Sequence, residues 1–142
     1  MLVAFHLPSR PRSLNAKVKE SYAKAIREAA QQKYSGGLTS GALYSRIIWF
    51  HKYRSTQGDA DNIAKRIHDA LKGIVFADDG VITHTMTARV DATVDVEVIA
   101  DTNHPDVAAD LAQSLGNPEV RDVLYVEVGH QTNPQVYLGP LQ

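Results

Sequence analysis

The stretch GDADNIAKRIHDALKGIVFADDG, at residues 58–80, combines a helical pattern with acidic residues at both ends. Apolar residues recur three or four positions apart over residues 62–72, which predicts an amphipathic helix, and Gly73 is placed to end it. The apolar run that follows predicts an extended segment over residues 74–78. The helix would span about 16 Å, and the extended segment would cover roughly the same length. The sequence therefore predicts a chain that runs back along its own helix.

Two pairs of carboxylates flank this predicted helix. Asp59 and Asp61 precede it, and Asp78 and Asp79 follow it. A return of the chain at Gly73 would bring the four together, where they would repel one another unless a cation compensated. Oxygen ligands in a chain without cysteine favour Mg²⁺ or Mn²⁺ over zinc. We therefore predict a divalent metal site that acts in phosphate chemistry.

A lysine accompanies the first acidic pair. Lys65 lies four residues after Asp61 and so shares its face of the helix, about 5 to 6 Å away. Its ammonium could stabilise negative charge that develops on a phosphate. Each acidic residue also has an ordinary structural explanation, because aspartate caps helices and forms turns. The spacing alone leaves both explanations open.

The composition is that of an ordinary globular protein. The chain has 142 residues, of which 44% are hydrophobic and 22% are charged, so it fits one domain with a substantial core. It has no cysteine, which excludes disulfides, thiolate zinc sites and a cysteine nucleophile. No apolar run approaches the roughly 18 residues that cross a bilayer, and the N-terminus lacks the order of a signal peptide. We therefore expect a cytoplasmic protein.

The net charge of −1 hides a division along the chain. Residues 1–58 carry ten Lys or Arg against two Glu, a balance of +8, and the remainder carries five basic against fourteen acidic residues, a balance of −9. A basic half is a recognised indication of polyanion binding, because phosphate contacts need only a local cluster of Lys and Arg. A solvated helix face explains the same charges, and both interpretations stay open.

The remaining pattern predicts an α+β fold with a mixed or antiparallel sheet and two to three helices. Apolar runs that alternate or are short and continuous predict strands, and apolar positions three or four apart predict helices. The expected strands cover residues 2–7, 42–53 and 123–128, with one or two more over 81–100, and the other expected helices cover residues 16–32 and 104–118.

The acidic stretch also matches a known pattern. It reads DADNIAK at residues 59–65, DAL at 69–71 and DD at 78–79. This order, D-x-D-N-x-x-K followed by a helix and an apolar run into D-D, resembles the signature of the RusA family of Holliday junction resolvases, the crossover junction endodeoxyribonucleases. The resemblance implies a homodimeric α+β nuclease that binds four-way junctions and uses Mg²⁺ to hydrolyse a phosphodiester in each of two opposed strands.

The resemblance assigns roles to the acidic residues and the lysine. By motif position, Asp59, Asp61 and Asp79 are the expected metal-binding catalytic carboxylates, and Lys65 is the expected catalytic lysine. Asp78 stays an open candidate. A bound metal would lower the pKa of a water and shield the phosphate from the attacking hydroxide.

Basic residues around this stretch are expected to contact DNA. A loop rich in Pro and Arg beside a helix start suits phosphate contacts, although a solvated loop has the same composition. Gln57 and Gly58 stand where the family often has basic residues. The nearest basic residues upstream are therefore Lys52 and Arg54. Arg89 stands where the family commonly has a lysine after the acidic pair, so a planar guanidinium replaces a compact ammonium. The expected DNA-binding residues are Arg10, Arg12, Lys17, Lys52, Arg54 and Arg89.

Residues 1–142 are expected to form one RusA-like endonuclease domain, in which residues 100–142 are an extension. Residues 100–120 have no clear counterpart in the family, and either 92–99 or 123–128 corresponds to the family's final strand. Two other functions are compatible with the sequence. One is a non-catalytic DNA-binding dimer of the same fold, which would bind junctions in a salt-sensitive way without cleaving them. The other is a structural or interaction protein in which the acidic residues only form caps and turns.

Overall fold

A computed structural model describes residues 1–11, 19–53, 63–99, 103–132, 136 and 138–140. Within these residues, four strands and three α-helices follow one another. They are β1 (Val3–Leu7), α1 (Lys19–Lys33), β2 (Leu43–His51), α2 (Ala64–Leu71), β3 (Ile82–Asp91), α3 (Pro105–Gly116) and β4 (Asp122–His130), with a 3-10 turn at Asp79–Val81 before β3.

The four strands form one mixed sheet in the order β1-β4-β2-β3. β4 is antiparallel to both of its neighbours, β1 and β2, whereas β3 runs parallel to β2 at the edge. The last of the described strands, β4, therefore lies inside the sheet. The predicted α+β class, with a mixed sheet and three helices, is confirmed.

Both faces of the sheet are covered by helices. On one face, alternate β2 side chains such as Ile47 and Trp49 pack with α1 and α2, and Ile67 and Leu71 of α2 are fully buried there. On the opposite face, Leu111 of α3 packs with side chains of β2 and β4. The alternating burial of β1 and the buried Ile67, Ala70 and Leu71 of α2 match the hydrophobic periodicity of these two elements.

The segment at 74–77, which we predicted to be extended, is a compact turn. Gly73 has a φ of +83°, a conformation that glycine adopts without strain, so the predicted end of the helix is confirmed. The chain then folds over the helix end, because the backbone N–H groups of Ile74 and Val75 both donate to the carbonyl of Leu71. Val75 and Phe76 are fully buried in this turn. Burial of these two side chains replaces the predicted return along the helix.

The sequence also left room for a second strand at 92–100, and over the described residues 92–99 this strand does not form. The Asp91 carboxylate accepts hydrogen bonds from the backbone N–H of Thr93, at 2.9 Å, and from its hydroxyl, which turns the chain as β3 ends. Val96 and Val98 are half-buried against the α3 side of the sheet. The alternating pattern therefore reflects one-sided burial without a partner strand.

Among the residues that the structure describes, no helix has the length and apolar character needed to span a membrane.

Candidate active site

A row of alternating charges runs along α2 to the start of β3. Lys65 Nζ lies 3.7 Å from Asp69 Oδ1, and the same carboxylate oxygen lies 3.5 Å from Lys72 Nζ. Lys72 Nζ in turn lies 3.8 Å from Asp79 Oδ1. The 3-10 turn before β3 thus holds Asp79 beside the C-terminal end of α2. The structure links two predicted site residues, Lys65 and Asp79, through the pair that stands between them.

The two neighbouring aspartates have different surroundings. The Asp79 side chain is 32% exposed and faces the Lys72 ammonium. Asp78 is exposed, and its carboxylate lies over Gly80, where a Cβ would come within 3.1 Å of Asp78 Oδ2. The Asp78 backbone is extended, whereas Asp79 begins the 3-10 turn. Asp79 is therefore the carboxylate that this turn presents to α2.

A buried histidine lies under this charged row. His68 is 9% exposed, and its Nε2 atom is 2.8 Å from Ser45 Oγ on β2. The Ser45 hydroxyl donates to Thr85 Oγ1 on β3 at 3.2 Å. This polar contact ties α2 to both parallel strands. We did not single out His68 from the sequence, although its position three residues before Leu71 places it on the apolar side of the helix.

Burial lowers the pKa of the His68 imidazole, because the charged form loses its hydration. The nearby carboxylates of Asp79 and Asp69 act in the opposite direction and raise it. The ammonium of Lys65 lowers it further. Burial therefore favours the neutral form of His68 under the charged row.

Stability is expected to fall as the pH is lowered from about 7.5 to about 5.5, and His68→Gln should weaken this dependence. With the folded pKa below the ordinary value, the unfolded chain binds the proton more readily. The contribution of the neutral His68 side chain to the free energy of unfolding is fully present above about pH 6.5. It is lost as the pH falls towards the pKa of His68 in the folded protein. Urea unfolding of both proteins at the two pH values measures the effect. His6 titrates in the same direction, because burial lowers its pKa, so part of the dependence should persist. An unchanged dependence in the variant would contradict the assignment.

Several predicted site residues lie outside the described residues, namely Asp59, Asp61, Arg12, Lys17 and Arg54. Within the ranges that the structure describes, no three His, Asp or Glu side chains are grouped to hold a metal ion. Asp79 nevertheless has the chemistry of a magnesium ligand. Its oxygen already faces a cationic ammonium, and Mg²⁺ commonly takes only one or two carboxylates with water.

The predicted DNA-binding residues that are described fall in three places. Arg10 lines a polar pocket with Tyr53 and Arg121 at the end of the sheet where β2 finishes. The Lys52 ammonium donates to the carbonyl of Asn117 at 2.8 Å, just beyond α3, which uses one of its donors to cap that helix. Arg89 is exposed on the edge strand β3. Lys52 and Arg10 lie at the same end of the sheet, because the Lys52 N–H donates to the carbonyl of Arg121, which lines the pocket with Arg10.

A second cavity of about 530 Å³ lies on the α3 side of the sheet. It is lined by Glu127, a residue that is 6% exposed and whose carboxylate accepts hydrogen bonds from the hydroxyls of Tyr44 and Tyr125, each at 2.6 Å and each to a different oxygen. Arg46 Nη1 lies 3.9 Å from one of these oxygens. Burial and the contact with Glu127 raise the pKa of the Tyr125 phenol. Both carboxylate oxygens therefore have donors inside the fold.

The sequence contained a signal for this cluster that we did not use. Glu127 is the one charged residue in the otherwise apolar run VLYVEV, at residues 123–128. A charged residue in a strand that is buried on both faces requires partners. One partner, Tyr125, stands two residues earlier in the same run, whereas Tyr44 and Arg46 come from the neighbouring strand β2 and could not be identified from this run alone.

Comparison with protein families places the chain. The model of the family described as "Endodeoxyribonuclease RusA" matches residues 8–99, which is more than half of the chain and includes the whole acidic stretch. A comparison with curated proteins gives no match. The family points to a nuclease that acts on branched DNA and generally depends on a divalent metal. The chain belongs to the RusA family of Holliday junction-resolving endodeoxyribonucleases.

Proposed function

We propose that this protein is a Mg²⁺-dependent endonuclease that resolves four-way DNA junctions by hydrolysing one phosphodiester in each of two opposed strands. The observation that carries the proposal is the position of Asp79. It lies in the family-matched region, in a turn that presents its carboxylate to a cationic partner at the start of β3. An aspartate that only formed a turn or capped a helix would not need to be partly buried and to face an ammonium group.

Asp59, Asp61 and Asp79 would hold the metal, which is Mg²⁺ or alternatively Mn²⁺. The fit rests on donor chemistry, because hard carboxylate oxygens suit these ions and Asp79 is only partly exposed. A metal bound there would supply a water of lowered pKa and would shield the charge of the phosphate.

The lysines of α2 have separate tasks in this proposal. Lys65 is 62% exposed and paired only loosely with Asp69, at 3.7 Å, so its ammonium is free to turn towards a phosphate and stabilise developing negative charge. Lys72 bridges Asp69 and Asp79 and keeps the Asp79 carboxylate turned towards the helix. The Asp69 carboxylate, shared by both lysines, sets the spacing between them.

The assembly that we propose is a homodimer of one-domain subunits spanning residues 1–142. Two subunits would provide one active site for each of the two opposed strands. Contacts to the DNA backbone would come from the predicted basic residues, since phosphate contacts orient a protein on DNA without reading its sequence. These residues are Arg10, Arg12, Lys17, Lys52, Arg54 and Arg89.

The proposal is tested by incubating the purified protein with a synthetic four-way junction, with and without Mg²⁺. We expect symmetric nicks in two opposed strands with Mg²⁺ and none with a chelator, and slower cleavage of a linear duplex of the same sequence. Salt-sensitive junction binding without cleavage under Mg²⁺ or Mn²⁺ would contradict the proposal and indicate a non-catalytic DNA-binding dimer.

A further inference from the structure

A polar pocket lies where β1 and β2 finish and β4 begins. It has a volume of about 450 Å³. Its position follows from the antiparallel pairing of β4 with both neighbours, which brings three chain segments to one end of the sheet. The pocket is lined by Pro8, Ser9, Arg10, Tyr53, Arg121 and Asp122.

Two guanidinium groups line this pocket. The Arg121 guanidinium stands over the ring of Tyr53, 4.7 Å from its centroid. The charges of Arg10 and Arg121 both reach the Tyr53 phenol, where they oppose the rise in pKa that burial and the hydrogen bond to Asp122 cause. Stacking on an aromatic ring orients a guanidinium and leaves its edge available for other contacts.

One oxygen of the carboxylate in the pocket accepts hydrogen bonds from two neutral donors. Asp122 Oδ1 accepts from the indole N–H of Trp49 at 2.9 Å and from the Tyr53 hydroxyl at 2.7 Å. In the part of the chain that the structure describes, Arg121 has no ion-pair partner. Two cations and one carboxylate leave the pocket with a net positive charge.

We propose that Arg10 and Arg121 bind one backbone phosphate of the DNA substrate in this pocket. The planar fork of arginine matches two phosphate oxygens at once, and an exposed guanidinium over a ring retains that geometry. The site contacts DNA because Tyr53 leads directly into the segment that carries Asp59 and Asp61. The inference rests on the proposed function and adds a contact from Arg121, which lies beyond the family-matched residues 8–99.

The backbone around Arg121 is fixed, which suits a binding group. The Lys52 N–H donates to the Arg121 carbonyl at 3.0 Å, so the residue is tied to the end of β2. On the opposite wall, the Ser9 N–H donates to the Leu7 carbonyl at 2.9 Å and holds the turn that leads to Arg10. A phosphate would therefore meet both guanidinium groups with little rearrangement of the backbone.

The test is binding of a fluorescent four-way junction to the full-length protein at several salt concentrations, with Ca²⁺ in place of Mg²⁺. We expect Arg121→Gln to weaken binding about 10-fold and to reduce the slope of log affinity against log salt by about 0.9, as for one lost phosphate contact. Arg121→Lys should keep the salt slope and recover part of the affinity. The matched control is Arg27→Gln, an exposed arginine on α1, which should bind like the wild type.

Each outcome decides between the explanations. Wild-type affinity and salt slope in a folded Arg121→Gln protein would overturn the phosphate site, as would equal losses in the Lys and Gln variants, because these would indicate a structural role for the stacked guanidinium. Thermal stabilisation by inorganic phosphate that depends on Arg121, without an effect on DNA binding, would assign the pocket to a free anion and overturn the DNA contact.

The site and the proposed function can fail separately. Arg121-dependent junction binding by a protein that does not cleave would support the phosphate site and contradict the nuclease proposal. A wild-type protein that binds no junction would overturn both.

Discussion

Asp79→Asn is expected to reduce junction cleavage by at least about 100-fold while junction binding persists. The amide has nearly the same shape but lacks the negative charge that a metal requires. Mutation of a residue that only orients a metal ligand typically lowers activity by about 10- to 100-fold. Mutation of a direct ligand should therefore lower it further. Lys72 keeps its contact with Asp69, at 3.5 Å, which should preserve the fold around the turn. Single-turnover cleavage of a labelled junction measures the effect.

Asp78→Asn is the matched control for this substitution. The two residues are neighbours in sequence, yet the Asp78 side chain is exposed and lies over Gly80. We expect this variant to retain most of the cleavage activity. Stabilisation by Mg²⁺ gives an independent measurement, since the metal should raise the Tm of the wild type and of Asp78→Asn but not that of Asp79→Asn.

Asp61→Asn should behave like Asp79→Asn, because both aspartates are proposed to hold the same metal. Robust cleavage by both variants would contradict the assignment of Asp61 and Asp79 as catalytic metal ligands. Loss of activity in Asp78→Asn but not in Asp79→Asn would show that the wrong member of the acidic pair had been chosen.

Local patterns in the sequence predicted much of the fold. The helix that buries Ile67 and Leu71 follows from apolar spacing, and its end follows from Gly73, whose positive φ the structure confirms. These features depend on neighbours three or four residues away, which a single sequence displays directly. The same holds for the acidic stretch, because the spacing of its residues along the chain is itself the resemblance to the RusA family.

Features that depend on distant residues could not be predicted in this way. Val75 and Phe76 have the composition of a strand, but their burial against α2 folds them into a turn. Val96 and Val98 alternate like a strand and find no partner in the described chain. A strand requires a second strand with free hydrogen-bonding groups, and local composition does not show whether one is available.

The candidate site divides in the same way. The motif predicts a role for Asp79. Its pairing with Lys72, however, depends on the turn at 74–77, for which the sequence predicts an extended segment. The pocket around Arg121 is more remote from any pattern, because its walls come from three strand ends that meet only in the folded sheet. Strand order decides which residues share that end, and the sequence did not reveal that β4 lies inside the sheet.

The position of β4 leads to the second large expected effect. β4 lies between β1 and β2, and Leu124 and Val126 of this strand are fully buried. A chain that ends at residue 99, near the limit of the family-matched residues, would lack this strand and leave β1 without a hydrogen-bonded neighbour. Domains are stable by only about 5 to 15 kcal/mol, and removing a central strand should exceed that margin. We expect such a chain to show no cooperative unfolding transition by circular dichroism.

Leu124→Ala tests the same strand in the intact chain. Deleting a fully buried leucine side chain typically costs about 2 to 5 kcal/mol through lost burial and the cavity left behind. Leu138→Ala is the matched control, since this side chain is 92% exposed and its loss should change the free energy of unfolding by less than about 0.5 kcal/mol. Similar urea midpoints for the two variants, or a folded chain of residues 1–99, would contradict the central position of β4. A large difference between them would mean that the matched residues 8–99 depend for their folding on a strand beyond their own limits, and that any nuclease activity of this chain requires it as well.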